Sequence, residues 1–249
     1  MAQTGSGSRF TARKPSASAT EAIEGVLTSK MVAENAAFIE KATDVEKRIR
    51  ELESLREGWK KVKETPHCSV YSRPSDDFSG HIYKSEGNVP APFETVFNFV
   101  YPGVEKPRRR EWDTAVSSTV VIDKPATDTD VLISRTAPVC MGLISAREFV
   151  DLVKVVREPT RIFTASCSID HPAAPETKGF VRGFNYPNSL FCYKVEGVPH
   201  ETRFVQYVQS DLRGMLPSSL VESAIPSSMA EAYPNLKAAL AKEVKEWAL

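Results

Sequence analysis

The sequence predicts an α+β domain built on a mostly antiparallel, curved sheet, and three observations predict it. Strand-like runs rich in β-branched and aromatic residues follow one another from about residue 115 to residue 208, with no helix-length pattern between them. The order of elements lacks the regular strand–helix alternation of a parallel sheet. A long stripe of apolar residues at three- and four-residue steps then closes the chain. At 249 residues the chain can bury one sizeable core, which fits a single domain and a tail.

Taken in order, residues 1–20 are rich in Ser, Thr, Gly and Ala with scattered Arg and Lys, a composition that cannot form a core. The reading therefore assigns 1–30 to a disordered tail and 31–249 to the domain. Thr43-Asp-Val-Glu46 has the form of a capping box. Beyond it Val45, Ile49, Leu52, Leu55, Trp59 and Val62 mark one apolar helix face, which residues 31–42 can extend towards the N-terminus. From Cys68 the texture changes to strands, at Ser69–Arg73 and His81–Gly87, joined by the turn Asp76–Gly80.

Pro90-Ala-Pro-Phe-Glu94 suits a helix start, and Phe93, Val96, Phe97 and Val100 give that helix an apolar face. Pro107–Asp113 is a short basic segment with room for one helical turn. Strands are expected at 115–122, 130–136, 148–156 and 161–169, and two further runs lead into Gly214 and Pro217. The last element opens with Ser219-Leu-Val-Glu222, again of capping-box form. Val221, Ile225, Met229, Ala232, Leu236, Leu240, Val244 and Trp247 line one side of it. A helix of about 30 residues, roughly 45 Å long, is expected here, kinked or broken at Pro226 and Pro234 because proline removes a backbone donor.

Composition narrows the function. Lysine plus arginine balances aspartate plus glutamate at 32 each, so no global field favours nucleic acid. Cys68, Cys140, Cys167 and Cys192 form no Cys-x-x-Cys, which argues against a zinc site or a redox pair. No signal-peptide core, long apolar run or Asn-x-Ser/Thr acceptor occurs, and a cytoplasmic location is the expectation. The chain has no Gly-x-Ser-x-Gly, no phosphate loop and no Gly-x-Gly-x-x-Gly. His67, His81, His171 and His200 lack metal-ligand spacing, and His171 beside Asp170 reads as a loop pair. No enzymatic activity is expected.

Three motifs occur in order: Leu143-Ile-Ser-Ala-Arg-Glu-Phe-Val-Asp-Leu152, Phe180-Val-Arg-Gly-Phe-Asn-Tyr-Pro187 and Ser210-Asp-Leu-Arg-Gly-Met-Leu-Pro217. With Glu111-Trp-Asp113 they resemble the START (StAR-related lipid-transfer) domain over about residues 45–245, most of all its small soluble sterol-, oxysterol- and bile-acid-binding subfamily. The resemblance implies a helix-grip fold, in which a curved antiparallel sheet of about nine strands wraps a long C-terminal helix and encloses a lipid tunnel. It implies non-enzymatic carriage of one sterol-like lipid by a monomer that touches membranes transiently, with no cofactor and no metal. A carotenoid or a bile-acid-like amphiphile is the alternative cargo.

The same resemblance suggests site residues. Ala137–Ser145 matches the family's first omega loop, so Val139, Cys140, Met141, Gly142, Leu143 and Ile144 are candidates for a gate. Some members use a buried glutamate–arginine pair, and those positions fall here at Thr136 and Val153, which leaves neutral hydrogen bonding by Thr136 and Ser134. Strand parity puts Ser134 and Thr136 on one face and Arg135 on the other. Arg109 and Trp112, three apart, can share a helical face and meet a ligand carboxylate or hydroxyl; a solvated basic patch with Arg108 and Arg110 is the competing reading. Tyr207, Val221, Ile225, Met229 and Tyr233 are candidate wall residues. Arg147, Arg182, Asn185 and Arg213 are read as scaffold, paired with Glu148 or Asp211.

Overall fold

The computed structural model describes residues 17–104 and 107–247, with side chains described for 31–104 and 107–242. The first half holds α1 (Ala17–Ser54), β1 (Lys60–Glu64), β2 (Ser69–Pro74), β3 (His81–Val89), α2 (Phe93–Val100), β4 (Val116–Ala126) and β5 (Thr129–Thr136). The second holds β6 (Arg147–Glu158), β7 (Arg161–Ser168), β8 (Val181–Arg182), β9 (Phe184–Asn185), β10 (Ser189–Lys194), β11 (Thr202–Val208), β12 (Ser210–Asp211) and α3 (Ser218–Trp247). Short 3-10 turns lie at Arg109–Glu111 and Cys140–Gly142.

Nine strands pair along one path in the order β1-β2-β3-β11-β10-β7-β6-β5-β4. Every pairing on that path is antiparallel. β8 adds a parallel contact to β6, and β9 pairs with β12 in a small separate ribbon. Chain contacts divide at Ala37, and the sheet, α2 and α3 all belong to the unit Phe38–Leu249. This is the α+β architecture expected from the run of consecutive strands.

Side chains alternate across a strand, so each strand serves two cores. Ala42, Val45, Ile49 and Leu52 of α1 cover one face, where Val131, Val150, Leu152, Phe163, Phe191 and Val205 are buried. The opposite face, with Leu132, Val153 and Phe204, meets Val96, Phe97 and Val100 of α2 and Met229, Tyr233, Leu236 and Leu240 of α3. Helix α3 lies against β1, β2 and β3.

Several local expectations are corrected. Thr43-Asp-Val-Glu46 is not a helix start, because α1 is already running there: Thr43 Oγ1 donates to the Ile39 carbonyl at 2.9 Å and Glu46 pairs with Arg50 and Lys154. Residues 17–30, placed in the tail by composition, are helical; residues 1–16 lie outside the described residues. The apolar stripe ends at Leu52, with Leu55 and Val62 exposed. Gly58 turns the chain at φ +80°, a conformation that costs glycine least, and Val62 belongs to β1 instead. Helix α3 runs unbroken through Pro226 and Pro234, because the buried face around Met229, Tyr233 and Leu236 offsets the lost bonds. The side chains of Val244 and Trp247 lie outside the described residues.

Candidate functional site

Between the sheet and α3 lies a chamber of about 280 Å³. The parity of β5 and β6 supplies one wall, presenting Leu132, Ser134 and Thr136 beside Phe149, Asp151 and Val153. Ile225, Met229 and Ala232 of α3 form the opposite wall, and Arg109 and Asp113 sit at its side. An outer chamber of about 730 Å³ opens between the β2–β3 turn and the first turns of α3. The two share Ser210, Leu212 and Ile225.

Seven of the expected contact residues line the inner chamber: Arg109, Ser134, Thr136, Val153, Tyr207, Ile225 and Met229. Val221 lines the outer one instead. Trp112 and Tyr233 line neither, and both are core. Trp112 stands edge-on to Phe204 at 6.5 Å, and its indole N–H meets no hydrogen-bond partner among the described residues. The Arg109 guanidinium stacks over its ring at 5.7 Å, so the two residues do share a face, but only Arg109 reaches the chamber. The Tyr233 hydroxyl is accepted by the Phe204 carbonyl at 3.0 Å and lies 3.2 Å from Ser85 Oγ. Tyr207 contributes to the wall only from the far side of β11, since its ring packs on Trp59 and Phe191 over the α1 face. Its neighbour Gln206 has the parity that faces the chamber.

Polar groups on the wall differ in how far they are committed. Arg109 is paired with Asp113 at 3.0 Å, and its basic neighbour Arg108 with Glu111 at 2.8 Å. Thr136 Oγ1 accepts the Arg147 backbone N–H at 3.1 Å, which leaves its own hydroxyl proton to donate. Thr136 and Val153 are not neighbours, because Val153 registers with Asp130.

Asp151 was not singled out from the sequence, although a lone carboxylate in the strand run Phe149-Val-Asp-Leu-Val153, at the parity of two wall residues, is a legible signal. It accepts hydrogen bonds from Ser168 Oγ and Asn185 Nδ2, both at 2.8 Å. Burial pushes its carboxyl up from the ordinary range; the Ser168 and Asn185 bonds and the charge of Arg109 oppose that without cancelling it.

Of the residues read as scaffold, Arg182 pairs with Glu148 as expected, Arg147 has other partners, and Asn185 lines the inner chamber beside Asp151. Glu148, 1% exposed, is held by Arg135 at 2.7 Å and Arg182 at 2.8 Å, with Thr177 donating a further bond. Burial alone would raise its pKa, but the bonds from Arg182, Thr177 and Arg135 outweigh burial and hold the carboxyl below its usual value. Arg147 bonds to backbone: Nε donates to the Leu212 carbonyl at 3.0 Å, and its terminal nitrogens reach the Arg213 and Ser145 carbonyls at 3.1 and 2.5 Å. The Arg213 backbone N–H donates to Asp211, and His171 pairs with Asp123 at 3.2 Å in place of Asp170.

The loop 137–145 is pinched at its base by mutual backbone bonds between Val139 and Ile144, at 2.9 and 3.3 Å. Cys140, Met141 and Gly142 all take positive φ at its tip. Met141 is fully exposed and Leu143 is 65% exposed, whereas Ile144 is buried. None of Val139 to Ile144 lines either chamber. Through Arg147 the loop is tied to Leu212, a residue that both chambers share. Among the described residues no group of three or more His, Cys, Asp and Glu side chains could hold a metal ion.

Comparison with known proteins decides the family. The START domain matches residues 39–246. The chain belongs to the START-domain family. Mouse StAR-related lipid transfer protein 5 is 42% identical over 189 residues, covering 74% of this chain and 87% of that protein. Human StAR-related lipid transfer protein 4 is 31% identical over 201 residues, covering 80% and 95%. The solved structure of human StAR-related lipid transfer protein 5 superposes with a TM-score of 0.79 at 34% identity, covering 83% of this chain and 98% of that one. The nine-strand sheet and C-terminal helix are thus the helix-grip fold of START domains.

Proposed function

We propose that this START-domain protein is a non-enzymatic carrier of one sterol or oxysterol, working as a monomer in the cytoplasm. The observation that carries the reading is the two-chamber cavity, with Leu132, Val153, Ile225 and Met229 supplying apolar wall and Arg109, Ser134 and Thr136 supplying a polar side. At about 25 cal/mol per Å² of buried apolar surface, ring burial supplies most of the affinity, and one or two hydrogen bonds fix orientation. The inner chamber, about 280 Å³, sits at the lower edge of the roughly 300–1,000 Å³ of ligand pockets. The lipid therefore extends past Leu212 and Ile225 into the outer chamber. Thr136 donates to the ligand oxygen. Relatives that are lipid transfer proteins by name support the class of activity.

Met141 and Leu143 are the membrane contact. Apolar side chains fully or largely in water at a loop tip gain by entering the headgroup boundary. A second cargo is favoured by one observation: Arg109 lines the chamber, so a bile-acid-like carboxylate can compete with Asp113 for its guanidinium. The test is transfer of a labelled sterol between liposomes. The protein accelerates it, and Leu143→Asp slows that acceleration while leaving thermal unfolding within about 0.5 kcal/mol of the parent, as an exposed site allows. Sterol transfer no faster than the spontaneous rate sinks the carrier; unchanged transfer by Leu143→Asp rejects the membrane contact.

A further inference from the structure

The inner chamber ends along an oblique boundary across the sheet. On β5, β6, β7, β10 and β11 the last wall residues on the face towards α3 are Leu132, Val153, Thr164, Leu190 and Gln206. On four of those strands the next residues of the same parity are Val155, Ile162, Cys192 and Phe204, and all four pack in the core around Val96, Phe97 and Val100 of α2. The fifth is Asp130 of β5, directly opposite Val153. It is a buried carboxylate where every neighbouring strand places an apolar or thiol side chain.

Tyr101 covers that carboxylate. Its backbone N–H caps α2 by donating to the Phe97 carbonyl at 2.9 Å, and its ring stacks on Phe97 at 5.3 Å. Its hydroxyl donates to Asp130 Oδ2 at 2.5 Å, and Lys124 holds the other carboxylate oxygen at 3.1 Å. Gly103 closes over the pair: a Cβ there would meet both the Tyr101 hydroxyl and Asp130 Oδ2, so the position has no room for a side chain. Tyr101 is buried and still lines the chamber. With the hydroxyl committed to Asp130, the chamber meets the ring. Pushing that ring aside would break a buried hydrogen bond to a charged group, which resists it.

The geometry points to Tyr101 as the end-stop of the cavity, the residue that sets how far a cargo reaches inward, with Asp130 as the residue that positions it. The assignment rests on the carrier reading above and adds a limit on length. Thr136 lies six residues from Asp130 on β5 with the same parity. At about 3.3 Å per residue that is a depth of roughly 20 Å. A lipid whose oxygen is held at Thr136 has that depth for its hydrocarbon end, which then meets the Tyr101 ring. Carbons added at that end find no further apolar surface to cover, so they add no affinity.

The experiment ranks three sterols on the purified full chain by displacement of a fluorescent sterol. All carry the same ring hydroxyl, and their saturated side chains are of natural length or longer by two or four carbons. The parent holds the longer two no more tightly than the natural one. Tyr101→Ala, checked for a native unfolding transition, holds the two-carbon extension about tenfold more tightly than the natural sterol, the scale of two further buried methylenes. Tyr101→Phe keeps the ring and the parent's ranking. Loss of the α2 cap alone lowers stability without reordering the sterols, so the ranking separates an end-stop from a structural residue. If Tyr101→Ala does not fold, Tyr101→Leu, apolar and shorter than the ring, is read in the same way. A parent that tightens about tenfold with two added carbons overturns the end-stop, as does a folded Tyr101→Ala with the parent's ranking; in both cases the carrier itself stands. Failure of all three sterols to bind the parent takes down the carrier reading and the end-stop together.

Discussion

Strand β6 carries two buried carboxylates three residues apart, Glu148 and Asp151, and they are treated oppositely. Glu148 faces Arg135, Arg182 and Thr177 on the side of the sheet away from α3, where two guanidinium groups neutralise it. Asp151 faces the chamber, where the Ser168 hydroxyl and the Asn185 amide donate to it and Arg109 acts on it through its charge. Burial acts on both, yet one carboxyl ends below its ordinary pKa and the other above it. The difference lies in the partners: the charge that holds strands and loops together is paired by guanidinium groups, and the one that faces the chamber is met by neutral donors.

The largest effect that would break this comparison is on stability. Glu148→Ala strands Arg135 and Arg182 beside a cavity and costs about 3–5 kcal/mol, the range for removing one partner of a buried ion pair. Chemical denaturation of the variant measures it, and a loss under about 1 kcal/mol would show that Glu148 is not structural. The next effect is on pH dependence, where the two carboxylates have opposite signs. Glu148 binds its proton more weakly in the native chain, so its stabilisation is present above the ordinary value of 4.5 and fades as pH falls through the lower native value. Asp151 binds its proton more tightly in the native chain, so its contribution is best below the ordinary value of 3.8 and declines as pH rises towards the raised native value. Asp151→Asn removes that decline, and the gap in melting temperature between variant and parent widens in the variant's favour over that window. A constant gap contradicts the assignment.

How much of this was legible in the sequence follows the same division. The order of strands, the amphipathic α3 and the scaffold role of Arg182 were readable because periodicity and motif both report on packing. The strand β1 was not, since Val62 happens to fall at helical spacing from Trp59 and only Gly58 marks the change. Thr136, Ser134 and Val153 were placed on the chamber by parity and resemblance, and they lie there. Tyr233 and Trp112 were not separable from wall residues, because an apolar face looks the same whether it meets a void or a neighbour. Asp151 was passed over inside a family motif, where its charge read as signature and its parity with Phe149 and Val153 went unused.

The central claim is that the cavity between the sheet and α3 holds one sterol-like lipid. Native mass spectrometry of the purified full chain, incubated with sterol, tests it most directly. A one-to-one complex is expected, and the ligand extracted from it is the sterol. Protein that stays at its bare mass with excess sterol present contradicts it.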